Sequence, residues 1–117
     1  NKLQTLLLNN QQPIVGAAIS CGIETRDGHN FYGINVLNSV FRDAIYAEQA
    51  ALGAALSAGY KPQELTHLYI MAKDYPITYF AREVLAELLQ PTTPVTVYFA
   101  NDQEITISVT ELLNKKI

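Results

Sequence analysis

Ala44-Ile45-Tyr46-Ala47-Glu48-Gln49-Ala50-Ala51-Leu52-Gly53-Ala54-Ala55-Leu56-Ser57-Ala58 carries alanine at positions 44, 47, 50, 51, 54, 55 and 58. Alanine is the best helix former and has almost no side-chain bulk. The stretch therefore predicts a helix that packs closely against a sheet on nearly all sides. Gly59 follows as its C-cap. The sheet comes from the apolar runs on either side. Residues 31–36 predict one strand, and residues 65–72 (Leu-Thr-His-Leu-Tyr-Ile-Met-Ala) predict another, apolar enough for a central position. Upstream, residues 14–25 are apolar and small, as in a buried strand. Arg26-Asp27-Gly28-His29 carries an Asp-Gly turn signal, so the first two strands form an antiparallel hairpin. Residues 2–8 read as the end of an amphipathic helix, stopped by Asn9-Asn10-Gln11-Gln12-Pro13, and residues 38–43 as a loop.

Downstream, residues 74–78 form a loop interrupted by Pro76. Residues 79–89 predict a helix with Phe80, Val84, Leu85, Leu88 and Leu89 on one side. Pro91 and Pro94 bracket a turn into a strand at 95–99. The short link 100–103 permits a hairpin into 104–109 and excludes a crossover helix. Residues 110–116 read as a terminal helix capped by Thr110. The strand–helix–strand stretches between 31 and 99 favour parallel strands joined by right-handed crossovers. The expected architecture is α/β: a three-layer α/β/α sandwich around a mixed five-stranded sheet, with strands 1-2 and 4-5 as antiparallel hairpins. At 117 residues, the stretch 1–117 is expected to be a single domain.

Composition narrows the function classes. Apolar residues make up 49% and charged residues 16%, which fits a folded chain. Eight basic and eleven acidic residues give a net charge of −3, so nothing in the electrostatics favours non-specific nucleic-acid binding. No apolar run approaches the roughly 20 residues that span a bilayer, so no membrane partner is expected. The lone cysteine, Cys21, excludes an internal disulfide and any zinc site built from several thiolates. Residues 1–12 lack a basic flank followed by a long apolar run, so no signal peptide is expected, and a cytoplasmic location is the default. The start at Asn1 suggests residues upstream.

Five pieces of the chain occur in a telling order: Val15-Gly16-Ala17-Ala18-Ile19, Gly33-Ile34-Asn35-Val36-Leu37-Asn38-Ser39, Ala47-Glu48-Gln49-Ala50-Ala51, Ala81-Arg82-Glu83-Val84-Leu85 and Pro91-Thr92-Thr93-Pro94-Val95. In this order and at these spacings the chain resembles the small nucleoside-type cytidine deaminases, from about residue 14 to residue 113. That resemblance implies a reaction in which zinc activates a water for attack on C4 of cytosine while a glutamate shuttles protons. The family signature places His or Cys two residues before the glutamate, then Pro-Cys-x-x-Cys at the next helix. Aligned this way, Glu48 is the proton shuttle, in vestigial form. The three metal positions are Tyr46, Thr78 and Ala81, and a register shifted by one replaces the last two with Ile77 and Phe80. Alanine cannot coordinate, and neutral Tyr and Thr oxygens are poor zinc ligands, so no metal and no other cofactor is expected.

The resemblance implies further departures. The arginine that offsets thiolate charge in three-cysteine members is Gln49 here. Asn35 stands at a ribose-binding position, but its partner glutamate is Leu37, and the aromatic residue before Val-Gly is Pro13. Losing a carboxylate removes an acceptor for a sugar hydroxyl. Tyr46, Thr78 and Tyr79 are expected to fill the former metal site with hydroxyls near Glu48. Cys21, His29 and His67 are not expected to converge; His67 reads as a packed or edge residue and His29 as solvated. Glu48 itself also has a plain reading, as a carboxylate favoured by a helix N-terminus.

The expectation is a cytidine deaminase-like pseudoenzyme that acts as a binding or assembly domain. Its partner would be another protein or a nucleoside-like ligand, and a homo-oligomer (dimer or tetramer) is carried over from the family. The alternative is a nucleoside deaminase or related hydrolase with a rearranged metal-free site using Glu48. A third possibility is a domain of a longer or heteromeric assembly whose active paralogue supplies the chemistry.

Overall fold

A computed structural model describes residues 2–10, 18–36, 45–72, 82–99 and 103–114. Five strands run through it: β1 (Ile19–Thr25), β2 (Asn30–Ile34), β3 (Leu65–Ala72), β4 (Pro94–Tyr98) and β5 (Glu104–Ser108). They form one mixed sheet in the order β2-β1-β3-β4-β5. β1 pairs antiparallel with both β2 and β3, β3 runs parallel to β4, and β4 pairs antiparallel with β5. Both expected hairpins are therefore present. Because β1 lies between β2 and β3, only β3 and β4 are hydrogen-bonded parallel neighbours.

Side chains alternate across a strand, so each strand serves two faces. Cys21, Ile23, Leu68, Ile70, Val95 and Val97 point to one face and are fully buried there. Three helices cover that face: α2 (Ala47–Ser57), α3 (Arg82–Leu88) and α4 (Val109–Asn114). Ala47, Ala51 and Ala55, four residues apart, form the buried stripe of α2 together with Leu52. Leu85, Val109 and Leu112 complete the core. Among the described residues the opposite face carries only α1 (Lys2–Asn9), which packs on β1, β2 and β3. These are the three expected layers.

Small residues set the distance between α2 and the sheet. A methyl group built on Gly33 of β2 would lie 2.5 Å from the Ala50 methyl and 2.5 Å from the Ala51 nitrogen. Contact that close is possible only with glycine. At its other end, α2 closes as expected. Gly59 has φ of 100°, its N–H donates to the Leu56 carbonyl, and the Tyr60 N–H donates to the Ala55 carbonyl, a Schellman arrangement.

The structure moves several predicted boundaries. α2 begins at Ala47 rather than 44, because Ile45 forms an antiparallel bridge with Val36 and Tyr46 is extended. β2 ends at Ile34, two residues early; β1 spans Ile19–Thr25, and residues 14–17 of the strand predicted there lie outside the described residues. β4 occupies Pro94–Tyr98, one residue earlier than expected. A 3₁₀ turn at Pro62–Glu64, not anticipated, leads into β3. The terminal helix is capped by Ser108, not Thr110. Ser108 Oγ accepts from the Glu111 N–H and Glu111 Oε1 accepts from the Ser108 N–H, both at 3.1 Å, a reciprocal capping box. The Thr110 hydroxyl lies inside that helix and donates to the Pro91 carbonyl. The predicted loops at 38–43 and 74–78, and the start of the helix predicted at 79, lie outside the described residues.

Candidate functional site

The site is built where β2 ends and α2 begins. The Val36–Ile45 bridge, with both N–H···O bonds at 2.8 Å, ties these two ends together. Tyr46 follows as the N-cap of α2, in extended conformation with φ −81° and ψ 150°. Its N–H donates to Gln49 Oε1 at 2.9 Å. Gln49 is the third residue of the helix, where a side chain reaching back satisfies an otherwise unused amide. The residue that replaces the expected arginine thus has a structural task of its own.

Glu48 lies in the first turn of α2 and is fully buried. The partial positive charge at a helix N-terminus favours a carboxylate there. Glu48 interacts electrostatically with Cys21 of β1. Burial holds the Cys21 thiol well above its ordinary pKa, and the Glu48 carboxylate adds to that by opposing a second negative charge. The thiol donates to the Gly22 carbonyl, 3.8 Å away. Sequence reading placed Cys21 in a strand and weighed it as a zinc ligand with His29 and His67, not as a neighbour of Glu48. The structure brings it beside Glu48 because Cys21 and Gly33 are cross-strand partners on the face that α2 covers.

Asn35 follows β2 and is buried. Its Oδ1 accepts two hydrogen bonds: one from Asn10 Nδ2 at 2.6 Å, the other from the Ile19 N–H at 3.0 Å. The Asn35 N–H in turn donates to the Ile19 carbonyl at 3.3 Å. Asn35 therefore joins the end of α1 to the start of β1. Sequence reading missed Asn10, which it took as part of a helix stop. The only local signal was a short amide directly after the last helical turn, and its partner lies 25 residues away.

The chain's two imidazoles lie elsewhere. His29 is exposed in the β1–β2 turn, where it hydrogen-bonds the Tyr60 hydroxyl, which also donates to Asp27 at 2.8 Å. Hydrogen bonds from Thr25 and Tyr60 lower the Asp27 pKa. His67 is half-buried on the α1 face of β3, 2.7 Å from Thr96 Oγ1 and stacked on Tyr69 at 4.2 Å. Burial lowers its pKa, so the neutral ring is favoured.

A tetrahedral zinc ion takes thiolate, imidazole or carboxylate donors. The sequence holds one Cys and two His, all among the described residues. They occupy a buried core position, a turn and the opposite sheet face. Among the described residues no three His, Cys, Asp or Glu side chains converge to hold an ion. Of the three positions aligned with metal ligands, Tyr46 is the α2 N-cap, and Thr78 and Ala81 lie outside the described residues, as do Leu37, Pro13 and Tyr79. Among the described residues the donor set does not fit zinc. What the described residues do assemble is one buried carboxylate beside a neutral thiol, at the end of a helix.

No protein-family model matches the chain, and no curated protein matches it. Solved structures do. A cytidine deaminase from Burkholderia pseudomallei superposes with a TM-score of 0.83 at 27% identity, covering 98% of this chain and 93% of that one. The cytidine deaminases of Mycobacterium leprae and Mycobacterium tuberculosis each superpose at 0.69 with 18% identity. They cover 97% and 98% of this chain and 92% and 90% of their own. At that identity the mycobacterial matches speak for the fold alone.

Proposed function

The chain belongs to the cytidine deaminase-like family, and within it we propose that this protein is a binding or assembly domain that has lost metal-dependent turnover. The observation that carries this reading is the donor set. Tyr46 stands two residues before Glu48, where the family's signature has His or Cys, and neither imidazole of the chain lies beside Glu48. A general base acting alone contributes about 10²–10⁴-fold, well below the acceleration typical of enzymes, about 10⁶-fold or more. Glu48 then serves as a buried carboxylate at a helix N-terminus, and Asn35 as a buried polar joint that retains an amide near the family's ribose position.

The assembly half of the proposal draws on Val36 and Ile45, large apolar residues left 51% and 48% exposed in the bridge between the end of β2 and the start of α2. A second copy of the chain, forming a dimer or tetramer, is the occupant proposed for them. No helix among the described residues is long and apolar enough to cross a membrane. A cytoplasmic setting belongs to the same proposal, supported by the single free thiol of Cys21.

Metal-free turnover by Glu48 is the second reading, favoured by the retention and full burial of that carboxylate. Incubation with cytidine and deoxycytidine separates the two. The proposal expects no uridine or deoxyuridine above the level given by Glu48→Gln. Deamination that Glu48→Gln abolishes would establish the second reading instead. Light scattering at micromolar concentration is expected to give a dimer or tetramer, and a monomer would remove the assembly role.

A further inference from the structure

On the sheet face opposite α2, a groove of about 250 Å³ opens beside α1. Tyr32, Tyr69 and Tyr98 line it, from β2, β3 and β4, together with Glu24 of β1 and Lys2 of α1. Gly22 forms part of its wall. A methyl group there would sit 3.2 Å from the Tyr32 ring and 3.7 Å from Leu3, so glycine keeps the ring close to the sheet. Gly22 is the cross-strand partner of both Tyr32 and Tyr69, which places those two rings on either side of it.

The chemistry of this groove favours positive charge. Aromatic faces carry negative potential and attract ammonium groups. One such contact already exists, with Lys2 Nζ 5.7 Å from the centre of the Tyr32 ring. Among the described residues Glu24 makes no ion pair, so its carboxylate faces the groove without a fixed counter-charge. Burial, followed by Glu24 and the hydroxyls of Tyr98 and Tyr32, raises the Tyr69 pKa; burial and then Glu104 raise that of Tyr98. Both rings therefore sit where added negative charge is resisted. The volume is below that of a drug-sized pocket, which suits a ligand of few atoms.

We propose that this groove binds a small alkylammonium cation, held over the Tyr69 and Tyr98 rings with Glu24 as its counter-charge. The site is separate from Glu48 and does not depend on the function proposed above.

Calorimetric titration of the full chain with choline, and with dimethylbutanol as its uncharged carbon isostere, tests this. Choline is expected to bind saturably, with the alcohol about tenfold weaker or more, the scale of one cation–π contact with a carboxylate. Glu24→Gln is expected to weaken choline about fivefold or more, and Lys2→Ala to tighten it by removing a like charge. A general loss of structure would move both variants the same way, so opposite signs are diagnostic. The proposal is overturned if choline shows no saturable binding, if the alcohol binds equally well, or if the two variants leave the affinity unchanged or shift it in one direction.

Discussion

The two faces of the sheet follow different rules. Under α2, α3 and α4, the residues contributed by β1, β3 and β4 are apolar and fully buried, and the helices approach closely enough for backbone to touch backbone at Gly33. Across the same strands, the outward partners are Gly22, Glu24, Tyr32, Tyr69, Thr96 and Tyr98, roofed only in part by α1. The first face stores stability and holds the carboxylate that resembles a catalytic group. The second is open, aromatic and polar. β3 thus carries fully buried Leu68 and Ile70 one residue away from part-exposed His67 and Tyr69, and substitutions should separate the two faces by size of effect.

The largest effect is expected at Gly33. With backbone 2.5 Å from any added methyl, Gly33→Ala forces α2 off the sheet and destabilises by about 3 kcal/mol or more. Chemical denaturation measures this directly, and a loss under about 1 kcal/mol would mean that the covered face is loosely packed.

A second effect comes from Cys21. Its folded-state pKa is raised, so the folded protein keeps a proton that the unfolded chain releases above about pH 8.5. Stability from this group is fully present below that pH and is lost as pH rises toward the folded value, by up to about 1.4 kcal/mol per pH unit. Cys21→Ala is expected to remove that slope, whatever its cost at neutral pH. Unfolding curves between pH 7 and 9.5, a range of roughly one unit either side of the free thiol, would show it.

The smallest effect belongs to the open face. Glu24→Gln is expected to change stability by no more than about 0.5 kcal/mol, as usual for a surface position. A loss comparable to that at Gly33 would erase the contrast between the faces.

Much of the fold was legible because its signals are local. The apolar run of β3 gave Leu65–Ala72 to the residue and Gly59 marked the end of α2, but the alanine spacing overstated how much of α2 is covered: Ala47, Ala51 and Ala55 form one buried stripe, while Gly53, Ser57 and Ala58 are exposed. The misplaced boundaries have non-local causes. The start of α2 is set by Ile45 pairing with Val36 across a loop, which no helix propensity contains. The cap of α4 was read at Thr110, although the Ser108-x-x-Glu111 pattern was present, starting two residues earlier.

At the site, motif spacing pointed to Glu48, and its burial followed from the stripe it shares with Ala47, Ala51 and Ala55. The partners of Asn35 were not legible, since Asn10 and Ile19 meet it only once α1 and β1 have docked. Nor was the approach of Cys21 to Glu48, which depends on which face of β1 the helix covers.

The central claim is that the position two residues before Glu48 and its surroundings no longer hold a cation. Elemental analysis of protein purified from zinc-supplemented growth, without chelators, tests it most directly. The account predicts zinc far below one ion per chain; one tightly held zinc per chain would contradict it.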